Sequence, residues 1–197
     1  MVNLTRIYTR TGDQGTTRLG DMSETAKTDL RVHAYGDVNE ANAHLGHALA
    51  AGQLDADVVE VLTTVQNDLF DVGADLCMPV VREPEYPPLR VTQAYVDRLE
   101  AWCDRYNAEL PKLRSFILPG GTVGSALLQV ACTVTRRAER SAWAAYERHG
   151  DDMNQLALTY LNRVSDLLFI LARYANRERG DVLWVPGGER PGPDGSR

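Results

Sequence analysis

Four short stretches of the chain carry residue types suited to chemistry rather than packing. The first is Thr9-Arg10-Thr11-Gly12-Asp13-Gln14-Gly15-Thr16-Thr17, followed by Arg18. Its glycines let backbone approach a ligand closely, its threonines offer hydroxyls and its arginines bring charge, a mix suited to wrapping phosphates. The same composition also serves an ordinary surface turn. It is not a P-loop, because no G-x-x-x-x-G-K-[ST] run occurs in the chain. The second stretch is Arg136-Arg137-Ala138-Glu139-Arg140. In a helix, positions 136, 139 and 140 share a face, so a carboxylate can orient a guanidinium for bidentate phosphate contact. The alternative is a solvated charged stripe, and the neighbouring Ala126, Val130, Ala131, Val134, Ala138 and Ala142 weigh against it.

The third stretch is Tyr160-Leu161-Asn162-Arg163-Val164-Ser165-Asp166. Asn162, Arg163 and Asp166 are costly in so apolar a helix unless they meet partners or a ligand, and Arg163 and Asp166 at i,i+3 are spaced to pair with each other. The fourth, Phe116-Ile117-Leu118-Pro119-Gly120-Gly121, is a rigid loop with apolar groups; as pattern alone it reads as a loop packed on the domain. Glu40, His44 and His47 fall on one helix face and could imitate a metal site. A carboxylate-bridged di-iron bundle, however, needs Glu-x-x-His on two helices, and the chain has none.

The elements that must position these groups are helical. Residues 1–26 show no period and should form a structured loop or arm. From Asp29 to about Ala51, Val32, Tyr35, Val38, Leu45 and Leu49 suit one helix face, with Gly52 as C-cap. Val58, Leu62, Val65, Leu69, Val72 and Leu76 step by fours and threes, the seam of a helix packed nearly parallel or antiparallel to another. Pro79, Pro84, Pro87 and Pro88 make residues 78–90 a connection. Thr92 then N-caps a third helix through Val96, Leu99, Cys103, Tyr106 and Leu110, which Pro111 ends. A fourth helix is expected over about Thr122–His149 and a fifth over about Asp152–Arg177, with Gly150 between them. The tail from residue 187 to 197 is too rich in Gly, Pro and charge to fold. The reading is all-α: a five-helix up-and-down bundle over residues 27–186, preceded by a binding loop over 1–26 and followed by a disordered tail.

Composition narrows the function classes. The 197 residues fit one domain, and the 44% hydrophobic content is enough for a core. A formal charge of −6 argues against a nonspecific grip on nucleic acid or on an anionic membrane, so phosphate binding must come from a local cluster. The longest apolar run, Leu167 to Ala172, is too short to span a bilayer. Cys77, Cys103 and Cys132 form no CxxC pattern and suggest neither a disulfide framework nor a zinc site, so a reducing cytoplasm is the simplest setting.

Taken together, IYTRTGDQGTT, Lys27 with Asp29 and Arg31, AYGDVNEANAHLG, FILPGG, RRAER and YLNRVSDLLFILAR, in that order, resemble the PduO-type ATP:cob(I)alamin adenosyltransferases. The resemblance spans most of the chain. It implies a five-helix bundle assembled as a homotrimer with active sites between subunits. It further implies ATP, with Mg2+ on its triphosphate, contacted by Thr9, Arg10, Thr11, Gly12, Thr17, Arg18, Lys27, Arg136, Arg137, Glu139, Arg140 and Asn162. The implied reaction is attack by the Co(I) of cobalamin on the 5′ carbon of ATP, with triphosphate leaving. Arg136 and Lys27 are expected to stabilise that departure. Phe116 is expected to crowd the lower face of the corrin, giving a four-coordinate Co(II) that is easier to reduce. A flavin-type reductase supplying Co(I) and an adenosylcobalamin-dependent enzyme receiving the product are the implied partners. The family's intersubunit Asp–Arg pair near the corrinoid is replaced here by Asn39 and Cys132, which are therefore expected to meet across the interface through neutral contacts. A corrinoid carrier without chemistry and a ferritin-like metal protein remain as rival functions; the complete set of triphosphate ligands speaks against the first and the missing Glu-x-x-His pairs against the second.

Overall fold

The structure, a computed structural model, describes residues 8–84 and 86–190. Residues 1–7 of the expected loop and 191–197 of the expected tail lie outside the described residues. Among the described residues the chain forms a small antiparallel ladder, β1 (Thr16–Arg18) with β2 (Glu24–Ala26), and five helices. These are α1 (Leu30–Ala51), α2 (Ala56–Cys77), α3 (Gln93–Asn107), α4 (Val123–His149) and α5 (Gln155–Tyr174). The segment expected as a structured loop or flexible arm contains a hairpin, with Thr17 opposite Thr25 and Arg18 opposite Glu24. Strands of three residues are too short to show a period. Gly187–Glu189, expected to be disordered, forms a 3-10 turn. No helix among the described residues is long and apolar enough to cross a membrane.

The helix ends follow from their capping residues. The Asp29 carboxylate accepts from the Arg31 N–H at 2.8 Å, and the Thr122 hydroxyl accepts from the Ser125 N–H at 3.1 Å. Asn154 accepts from Leu156 N–H, starting α5 three residues later than its apolar pattern suggested. Thr92 stands at the N-cap of α3 but makes no side-chain capping bond. The helices alternate in direction, as shown by contacts between α1 and α4 (Asp29 with His149, Glu40 with Arg137) and between α3 and α5 (Tyr95 with Tyr160, Tyr106 with Tyr174).

The seam of α1 differs from the one its large side chains suggest. Val32, Tyr35 and Leu49 are only half-buried, while Ala34, Ala41 and Ala48 join Val38 and Leu45 in full burial. They meet Ala131, Ala138 and Ala145, also spaced by seven, on α4. Small residues let the two backbones come close. At the crossing near Gly52 and Gly124, a Cβ on Gly124 would lie 2.6 Å from the Gly52 carbonyl oxygen. By contrast, α2 buries the seam read from the sequence, Val58 through Leu76.

A column of carboxylates on α2 ties it to α3 and α5. Asp57 accepts from Tyr106 and Arg105, Asp68 from Arg98 and Tyr160, and Asp71 from Tyr95. The buried Asp75 accepts from Arg90 at 2.6 Å, from Val91 N–H at 2.7 Å and from Asn154 at 2.7 Å. A buried carboxylate is stable only with its charge and lone pairs so satisfied. The donated bond to Asp68, together with burial, pushes the Tyr160 hydroxyl well above its ordinary pKa.

Candidate functional site

The residues singled out in the sequence fall into three clusters strung along one face-to-face axis of the bundle. The first sits where α1 begins and α2 and α4 end. Here the chain turns tightly: Arg10 is left-handed at φ 63°, Gly15 at φ 82°, and Lys27 N–H donates to the Gly15 carbonyl at 2.8 Å. The Lys27 side chain lies over the turn, so that a Cβ on Gly12 would come to 3.0 Å from its Nζ; glycine there lets the ammonium lie close to the backbone. Beside it lies a groove of about 700 Å3 lined by Thr9, Thr11, Thr16, Thr17, Arg18 and Glu24. Threonine hydroxyls and the Arg18 guanidinium in the lining, with the Lys27 ammonium beside the groove, match the demands of a polyphosphate.

Backbone bonds and one buried charge hold this turn to the bundle. Gly20 N–H donates to the Cys77 carbonyl at 3.0 Å. The guanidinium of Arg31, buried although charged, donates to the Leu76 and Asp152 carbonyls at 2.9 and 3.2 Å, capping the end of α2 against the start of α5. Asp29 pairs with His149 at 3.0 Å. Burial pushes the Asp29 carboxyl up, but the Arg31 N–H and His149 together hold it below its ordinary value.

The second cluster lies mid-bundle on α4 and α5. Arg136 Nε donates to Ser165 Oγ at 3.4 Å, Asn162 Nδ2 donates to Glu139 at 3.1 Å, and Arg140 folds back on the Arg136 carbonyl at 3.1 Å. Glu139 and Asn162 meet directly and Arg136 reaches the same turn of α5 through Ser165, while the Arg140 guanidinium is drawn back along α4. Arg137 points the other way, onto Glu40 of α1. The expected pairing of Arg163 with Asp166 is corrected: Arg163 bonds Glu100 of α3 at 2.8 Å and Asn162 at 2.5 Å, because α3 runs alongside that face of α5. Asp166 instead borders an open groove.

The third cluster is at the opposite end. Phe116 is 79% exposed. Its strand-like segment pairs with residues 182–184, with Leu118 N–H to Val182 O and Trp184 N–H to Phe116 O, both at 2.8 Å. The Phe116 and Trp184 rings meet edge to face at 6.1 Å. Leu118 and Val182, opposite each other on the same face of the short ladder, are also exposed, an apolar surface of the kind that marks a binding site. A groove of about 790 Å3, lined by Leu110, Leu113, Phe169 and Ile170 among others, opens at the same end. The segment 181–185 was not recognised as part of a site from the sequence; its run of β-formers, Val182-Leu183-Trp184-Val185, is the signal that could have found it.

Residues 7–175 match the cobalamin adenosyltransferase family. The chain belongs to it. Across family members, it is 63% identical to the corrinoid adenosyltransferase of Mycobacterium tuberculosis (strain ATCC 25618 / H37Rv) over 189 residues, 96% of this chain and 97% of that one. It is 42% identical to the Bacillus subtilis (strain 168) corrinoid adenosyltransferase over 89% of each. Among solved family structures, a phenylalanine-to-alanine variant of the PduO-type ATP:corrinoid adenosyltransferase from Lactobacillus reuteri, complexed with cobalamin and ATP, superposes with a TM-score of 0.83. It has 36% identity and covers 92% of this chain and 100% of that one.

Against this family background, the two departing positions stand in different surroundings. Asn39 is exposed and borders a shallow groove of about 400 Å3 with Asn42, Gln66 and Phe70 on α1 and α2. Cys132 is only 1% exposed: it faces α5, and its thiol bonds the Ser165 carbonyl at 3.2 Å. The expectation that Cys132 touches corrinoid or a neighbouring subunit is therefore corrected, since position 132 is already sealed inside a single chain. Burial also pushes its thiol above the ordinary range.

Proposed function

We propose that this protein transfers the 5′-deoxyadenosyl group of ATP to the cobalt of a Co(I) corrinoid such as cobalamin, giving adenosylcobalamin and triphosphate. The observation that carries the reading is the pairing, on one chain, of a hydroxyl- and cation-lined groove with an exposed aromatic platform. The first suits the triphosphate and the second a flat apolar macrocycle. In the reaction a cobalt–carbon bond forms as the C5′–O bond breaks, and the electron pair leaves on triphosphate. No side chain has to act as nucleophile. The protein aligns cobalt with carbon, neutralises the growing charge and excludes water.

Lys27, Thr9, Arg10, Thr11, Gly12, Thr17 and Arg18 hold the phosphates from the loop. Arg136, Glu139, Arg140 and Asn162 complete the nucleotide site, with Arg136 and Lys27 taking the leaving charge; Arg137, turned onto Glu40, would have to leave that partner to join them. Phe116, with Trp184 beside it, blocks the lower face of the corrin. The oxygen-rich lining of threonine hydroxyls and Glu24 fits a hydrated Mg2+ riding on the triphosphate; bound there, the ion would supply further charge neutralisation.

The spacing of the clusters supports sites shared between subunits, in the homotrimer that the family resemblance implies. At 1.5 Å per residue, Arg136 stands roughly 20 Å along α4 from His149, which contacts the first cluster, and roughly 20 Å from Thr122, which borders the third. One chain does not bring the three to a single ATP and corrinoid, whereas the loop of one copy against α4 and α5 of the next can. The free cysteines fit a reducing cytoplasm. A flavin-type reductase supplying Co(I) and an adenosylcobalamin-dependent enzyme consuming the product complete the setting.

Anaerobic incubation with ATP and cob(I)alamin tests the reaction. The corrin absorbance should shift to that of adenosylcobalamin with stoichiometric triphosphate release; tight corrinoid binding with no spectral conversion would mark a carrier instead.

A further inference from the structure

The loop that presents Phe116 is fastened by two buried polar residues that none of the chemistry above uses. Arg173, in the last turn of α5, is 4% exposed, and Asn176 just beyond it is 5% exposed. Arg173 Nε donates to Asp181 at 2.8 Å and its Nη2 donates to the Pro111 carbonyl at 2.8 Å. Asn176 accepts from Thr122 N–H at 3.2 Å and donates to the Gly180 carbonyl at 2.8 Å. The four anchor points bracket the two segments that pair with each other. Pro111 and Thr122 flank the Phe116 loop, and Gly180 and Asp181 begin the segment carrying Trp184. The fit is close at Gly121, φ 96°, where a Cβ would sit 2.2 Å from Asn176 Oδ1.

A buried ion pair is a poor way to gain stability, because an apolar pair of similar volume serves as well. What a guanidinium adds is direction: its planar fork fixes two acceptors at once. Those acceptors lie on the two segments whose rings form the platform. We propose that Arg173, with Asp181 and Asn176, is a positioning device that sets where Phe116 and Trp184 stand against the corrinoid. The inference rests on the reading of Phe116 given above. Arg173 acts through the two rings, whose placement matters because a shift of about 1 Å in a positioned group costs up to about 100-fold in rate.

The test uses the full-length enzyme and three variants, Arg173→Lys, Asp181→Asn and Phe116→Ala, loaded with ATP and Co(II) cobalamin. Arg173→Lys keeps the charge but loses the fork. Asp181→Asn spares the guanidinium should the first variant fold poorly, which thermal melting reports. The readouts are the four-coordinate Co(II) signature by paramagnetic resonance and ATP affinity by calorimetry. Both clamp variants should lose most of that signature, approaching Phe116→Ala, with kcat down on the order of 10–100-fold and ATP affinity held. If Phe116→Ala abolishes the signature while both folded clamp variants keep it in full, the positioning role is wrong. If Phe116→Ala itself keeps it, the reading of Phe116 falls and takes this inference with it.

Discussion

The two ends of the bundle solve opposite problems. At the loop end, polar groups must be exposed to a charged ligand without letting the backbone drift, and the chain is tied by main-chain bonds such as Gly20 to Cys77 and by the buried Arg31. At the Phe116 end, large apolar groups must be held in water until a ligand covers them, and the fastening is by buried side chains, Arg173 and Asn176, beneath a short β ladder. The difference teaches that each end places its rigidity where its ligand offers least. In the proposed function a triphosphate would draw the loop's cations onto itself, so the loop needs only its backbone fixed. A corrin face would give no directional bonds to an aromatic ring, so the ring would have to be placed beforehand.

The comparison is tested first on its cations. Lys27→Ala at the loop end and Arg136→Ala at mid-bundle should each lower kcat on the order of 100–1,000-fold, the cost of losing one donor to a leaving group. Single-turnover kinetics with saturating ATP check this, and near-normal turnover would remove either residue from the transition state. The next effect is structural. Arg90→Met leaves the buried Asp75 without its charged partner and should cost about 3–5 kcal/mol, read by denaturant unfolding. The smallest is a pH effect. Because the Asp29 carboxyl is held below its ordinary value in the fold, it adds stability at neutral pH that is lost as pH falls through 4 and below. Asp29→Ala should therefore cost about 0.5–2 kcal/mol at pH 7 and flatten the acid limb of the melting curve; an unchanged acid limb would show that the cap is not the titrating group.

Much of this arrangement was legible beforehand because large aliphatics at steps of three and four commit a helix face, as Val58 through Leu76 do on α2. Gly52 likewise marked the end of α1, whereas Thr92, the N-cap expected for α3, makes no side-chain bond, and the capping bonds of Asp29 and Thr122 came only with the structure. The seam of α1 was misplaced in part because alanine carries little hydrophobic signal, although Ala34, Ala41 and Ala48 are as fully buried as Val38 and Leu45. The carboxylate column of α2 was invisible for a different reason: Asp68 and Asp75 read as surface residues until Arg98, Tyr160 and Arg90 arrive from distant positions. The motifs for the loop, RRAER and Asn162 stood out by residue type. Which face each side chain takes, with Arg137 turned to Glu40 and Cys132 sealed against Ser165, depends on neighbours that no local spacing encodes.

The central claim is that a working site draws its loop from one copy and its α4 and α5 residues from another. Mixed oligomers of Lys27→Ala and Arg136→Ala chains, assembled from equal parts of two variants that are each inactive, test it most directly. Sites that receive an intact loop from one variant and an intact Arg136 from the other should restore roughly a quarter of wild-type turnover, their statistical share in a cyclic assembly. Turnover that stays at the level of the separate variants, in oligomers shown by mass to contain both chains, would place Lys27 and Arg136 in the same subunit's site and contradict the claim.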